Sequence, residues 1–109
     1  MTDGFKLVLE TNNTADSTLD IHVWGTLEIA NSVQFRDQAI EMAEGNPGAR
    51  RVRFILEGLT YISSSGIGAF VEIMTELKKR SVEIVLTRVP SHVKKVIDLL
   101  GFGPFLNME

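Results

Sequence analysis

Hydrophobic and polar positions alternate twice near the start of the chain, in Phe5-Lys6-Leu7-Val8-Leu9 and again in Leu19-Asp20-Ile21-His22-Val23-Trp24. Alternation turns one side of a strand toward a core, so these runs predict antiparallel neighbours joined by the Thr-, Asn- and Asp-rich segment 10–18. Gly25 is expected to end the second strand. Over 31–44, Phe35, Ala39, Ile40, Met42 and Ala43 return at helical spacing, with Asn31 or Ser32 as cap and Gly45-Asn46-Pro47-Gly48 as the stop. Arg51-Val52-Arg53-Phe54-Ile55-Leu56 begins by alternating and ends as an unbroken apolar run, the pattern of a central strand buried on both faces. Ile67, Phe70, Val71, Met74 and Leu77 form the apolar stripe of a second helix, and Lys78-Lys79-Arg80 suit the negative end of its dipole. Val82-Glu83-Ile84-Val85-Leu86 reads as another strand. Pro90-Ser91 opens a third helix with Val93, Val96, Ile97 and Leu100 on one face and Gly101 at its close, before a short packed tail over 102–106. The order β-β-α-β-α-β-α predicts a small α/β sandwich. Its mixed sheet would have about four to five strands, the later ones parallel through right-handed crossovers and covered by helices.

Composition narrows the function more than the fold. With 109 residues and 44% hydrophobic content, one domain over 1–109 with one core is expected. No cysteine is present, which removes disulfides, thiolate nucleophiles and cysteine metal sites, and stability has to come from packing. The N-terminus has no basic-then-apolar signal pattern, and no apolar run reaches the ~20 residues that span a bilayer, so a cytoplasmic location without membrane insertion is expected. Net charge is −3 and the cations fall in scattered pairs rather than a stripe, so nucleic acid is not an expected partner.

The candidate chemistry is concentrated in Tyr61-Ile62-Ser63-Ser64-Ser65-Gly66-Ile67-Gly68, where a buried strand gives way to a helix. Helix starts carry unpaired N–H groups and partial positive charge, which suit a serine cap or an anion. Ser63 or Ser64 is the expected cap, while Gly66 and Gly68 leave room for a close approach of backbone or phosphate. A Walker loop fails because no Lys follows either glycine. A dinucleotide fingerprint fails because Val71 stands where its third glycine belongs, and a nucleophile elbow fails because Ile62 stands two residues before Ser64. The histidines, His22 and His92, have no ligand-like spacing, so neither a metal, a cofactor nor a catalytic constellation is expected, and a hydrolase using Ser64 lacks an aligned base. Trp24 is read as packed, or as a docking aromatic if its strand face is exposed.

The run Ile62-Ser63-Ser64-Ser65-Gly66-Ile67-Gly68 resembles the apolar-Asp-Ser-[Ser/Thr]-Gly-[Leu/Ile]-Gly motif of STAS domains of the anti-sigma factor antagonist type. Gly25-Thr26-Leu27-Glu28 resembles that family's Gly-x-[Leu/Ile]-Asp after the second strand, and Leu99-Leu100-Gly101-Phe102 its closing segment. The resemblance covers nearly the whole chain. It implies that Ser64, with Ser65 and Ser63 as alternates, is phosphorylated by a partner kinase. It also implies a docking face containing Gly25, Glu28, Ser63, Ser64, Ser65, Gly66 and Ile67. The implied partners are an anti-sigma serine kinase with a histidine-kinase-like ATPase fold and a resetting serine phosphatase; the antagonist itself is not an enzyme. Ser63 replaces the motif's Asp, Glu28 replaces a second Asp, and Ile55 stands where the central strand often carries an acid. A second expectation from the same family is a non-phosphorylated scaffold or subunit of a membrane transport or signalling complex.

Overall fold

The computed structural model describes residues 7–13 and 16–109; Phe5 and Lys6 of the first alternating run lie outside them. The elements follow in the expected order: β1 (Leu7–Asn13), β2 (Thr18–Leu27), α1 (Ser32–Glu44), β3 (Arg51–Ile62), α2 (Ser64–Lys78), β4 (Glu83–Thr87) and α3 (Ser91–Leu99), then a 3₁₀ turn over Gly103–Phe105. β2, β3 and β4 run parallel, and with β1 the mixed sheet has four strands. β1 joins β2 antiparallel, from Leu7 opposite Gly25 to Asn13 opposite Leu19, giving the sheet order β1-β2-β3-β4. No fifth strand forms among the described residues, because the tail meets β4 through a single bridge between Leu86 and Met108.

All three helices contribute to one core. Leu19, Ile21, Val23 and Leu27 of β2 and Val52, Phe54 and Leu56 of β3 pack with Phe35 and Ala39 of α1, Ile67, Phe70, Ile73 and Leu77 of α2, and Val93 and Ile97 of α3. Phe35, Phe54 and Phe70 meet edge to face at its centre, with centroids 5.0–6.0 Å apart. The alternate residues of β2, Asp20, His22 and Trp24, belong to the other face of the sheet. There Asp20, buried, takes a two-pronged ion pair from Arg53 at 2.9 Å, and these hydrogen bonds hold the guanidinium proton more tightly than usual.

The boundaries depart from the sequence reading where backbone pairing overrides local composition. β1 runs on through Thr11, Asn12 and Asn13, polar residues expected in a loop, because β2 offers each a ladder partner. Gly25 does not end β2; it adopts φ 110° inside the strand, which continues to Leu27. β3 continues to Ile62 with register shifts against β2 between His22 and Trp24 and between Gly25 and Thr26. Those added residues carry the chain to the serine step. Gly101, at φ 81°, closes α3 as expected: the N–H of Phe102 reaches Ile97 O at 3.0 Å and that of Gly101 reaches Asp98 O at 3.0 Å.

Candidate functional site

Because β2, β3 and β4 are parallel, the helices that follow them all start at the carboxyl end of the sheet. The three serines divide by geometry there. Ser63, with extended backbone (φ −97°, ψ 174°), is the N-cap of α2, and its Oγ accepts the Gly66 N–H at 3.3 Å. Its own N–H donates to Leu27 O at 2.9 Å, joining the ends of β2 and β3. Ser64 is the first helical residue and is exposed; Ser65 is half-buried. No acidic residue occupies the first turn of α2, so the positive end of the helix is not neutralised by its own side chains.

The glycines after the serines have different jobs. A Cβ on Gly66 would come 2.8 Å from Leu27 Cγ and 2.9 Å from Ile62 Cγ1, so its absence lets α2 start hard against both strands. A Cβ on Gly68 would meet nothing within 4 Å. Gly66 and Ile67, expected on the docking face, are buried beneath it. They pack under the start of α2 that carries Ser64.

The second wall of the site is the turn from β2 to α1. The half-buried Glu28 lies at its start, three residues beyond Gly25 of β2 with its left-handed φ. The turn is braced by Asn31, which is buried. Its Oδ1 accepts the Glu28 N–H at 2.9 Å and its Nδ2 donates to Thr26 O at 2.9 Å. Asn31 therefore precedes α1 without capping it through its side chain. On the flank toward α3, Thr60 Oγ1 donates to Gly25 O at 3.0 Å, and His92 Nε2 lies 2.8 Å from Thr60 O. A carbonyl oxygen only accepts, so Nε2 is the donor and ties α3 to β3.

Three large apolar side chains stand exposed at this end: Ile29 (79%), Val33 (57%) and Tyr61 (51%). Sequence reasoning did not assign them to the docking face. Val33 is off the Phe35–Ala39 stripe and Ile29 is isolated between helix and strand patterns, which was the available signal. Apolar residues placed outward around a free hydroxyl form a surface fitted to a protein rather than to a small substrate.

Fold and site together define a small α/β domain that presents a helix-start serine on an apolar rim. The chain belongs to the STAS domain family, whose model matches residues 8–109. It is 32% identical over 87 residues to the putative anti-sigma factor antagonist BtrV of Bordetella bronchiseptica, covering 80% of this chain and 73% of that protein. Its fold is that of the anti-sigma factor antagonist SpoIIAA in its unphosphorylated form (TM-score 0.74, 22% identity, 94% of this chain and 88% of that one). The phosphorylated form of SpoIIAA from Bacillus is similar at TM-score 0.65, with 22% identity over 94% of this chain and 91% of that one. The fold also matches part of the murine anion transporter Slc26a9 (TM-score 0.71, 21% identity), over 78% of this chain but only 14% of the transporter. The protein is thus an anti-sigma-factor-antagonist-like STAS domain.

Proposed function

We propose that this protein is an anti-sigma factor antagonist that works by partner switching, with Ser64 as its phosphoacceptor. The observation that carries the reading is the division of labour between adjacent serines: Ser63 is committed to capping, whereas Ser64 is exposed on the first turn. In the unmodified state the rim of Ile29, Val33 and Tyr61 docks on an anti-sigma serine kinase and releases the sigma factor or equivalent target. The kinase supplies ATP and magnesium; a serine phosphatase resets the switch.

Phosphorylation adds about −1.5 to −2 charge at pH 7. On the domain side that charge meets the positive end of α2, where anions are stabilised, so the fold survives. On the partner side it meets an apolar contact that would have to bury it, and an unpaired buried charge opposes docking strongly. The switch is local chemistry at one residue rather than refolding.

The test is phosphopeptide mapping after incubation with ATP and lysate of the protein's own organism, phosphatases inhibited, beside Ser64→Ala. Phosphate on Ser64 that disappears in the variant is the expected result. No phosphate on Ser63, Ser64 or Ser65, in a lysate that labels another phosphoprotein, would reject the switch in favour of the scaffold role.

A further inference from the structure

We propose that Trp24 is a second docking residue for the same kinase, held flat over Gly58 as an aromatic extension of the Ser64 face; the inference rests on the partner-switching reading above. Trp24 is the single tryptophan of the chain and is 37% exposed on the sheet face away from the helices. Two neighbours fix its pose. His22, two residues earlier, stacks against it with centroids 5.5 Å apart and planes 12° from parallel. Gly58, its partner on β3, leaves bare backbone beneath the ring: a Cβ there would overlap Trp24 Cδ1 and fall 2.7 Å from Nε1. An indole backed by Gly58 and His22 and still partly exposed gives up little side-chain freedom when a partner covers it.

The platform is continuous with the serine site. From Gly58 the same strand passes Tyr61, exposed and paired with Thr26, and reaches Ser63 after roughly 17 Å. Trp24, Tyr61 and Ser64 therefore fit under one footprint of about 800 Å² on a partner. Among the described residues of this sheet face, Asp20 pairs with Arg53 at 2.9 Å and Glu57 with Arg88 at 3.4 Å. Recognition there is by flat apolar contact, so the occupant is a proline or aromatic side chain of the kinase.

The experiment follows phosphorylation kinetics of Trp24→Ala, Gly58→Ala and the double variant, using the kinase activity that labels Ser64 in the wild type, together with each protein's melting temperature. Both single variants should raise KM about tenfold or more with kcat little changed. Gly58→Ala should also lower the melting temperature by pushing the indole away, and adding Trp24→Ala should restore the melting temperature but not KM. A wild-type KM in Trp24→Ala, or recovery of both quantities in the double variant, would overturn the proposal while leaving Ser64 phosphorylation intact. A wild type that takes no phosphate at Ser64 would sink the partner-switching reading and this extension with it.

Discussion

Ser63 and Ser64 are identical in chemistry and opposite in circumstance, because one faces the Gly66 N–H and the other faces outward. Removing the cap in Ser63→Ala should cost about 1 kcal/mol, a fall of about 4 °C or more in melting temperature for a domain of this size. Ser63→Asp keeps the acceptor and adds an anion at the helix start, so it should melt at or above the wild-type temperature. The glycines give a matched contrast. Gly66→Ala forces a methyl against Leu27 and Ile62 and should destabilise by roughly 1–3 kcal/mol, whereas Gly68→Ala enters open space and should stabilise by up to about 1 kcal/mol. Thermal unfolding by circular dichroism distinguishes these, and equal effects of the two alanines would contradict the assigned roles. At this scale the helix-start place of the serines was legible through their motif. That Gly66 serves packing was not, since a glycine's neighbours are set by the strand ends it meets, far away in sequence.

Among the elements, the turn from β2 to α1 decides how firmly the docking rim is held. Asn31 satisfies one donor and one acceptor of that turn, Glu28 N–H and Thr26 C=O. Asn31→Ala leaves both unpaired in a buried setting and should cost about 1–3 kcal/mol. Because Ile29 and Val33 flank the braced turn, the same variant should raise the KM for phosphorylation of Ser64 as well as lower the melting temperature. A KM equal to wild type would mean that the turn is not part of the docking surface. Asn31 was read as a helix cap because capping is what Asn before an apolar-periodic run most often does; the tertiary bonds that recruited it are invisible to local pattern. Polar residues of β1 and the glycine inside β2 were misread for a related reason. Ladder partners, not composition, keep Thr11 to Asn13 and Gly25 in strands.

For the molecule as a whole, the alternation of strand and helix patterns made the parallel architecture and the placement of the serine step at its carboxyl end legible from sequence. Which face of the sheet each strand residue takes was harder, because the shifts in β3 register break the period on which such readings depend. Trp24 keeps the alternation of β2, whereas Tyr61 lies beyond the shifts. The architecture also separates stability from signalling: the core lies between the helices and one sheet face, whereas Ser64 and its apolar rim lie at one end. A phosphate at Ser64 should therefore leave the melting temperature unchanged within a few degrees, since a charge at a helix start contributes only about 0.3–1 kcal/mol. The most direct measurement is a titration of the kinase with one preparation of this protein before and after it is phosphorylated at Ser64, with melting curves of both forms. The account predicts that affinity falls at least a hundredfold while both forms melt together. Equal affinity of the two forms, or loss of binding accompanied by unfolding, would contradict it.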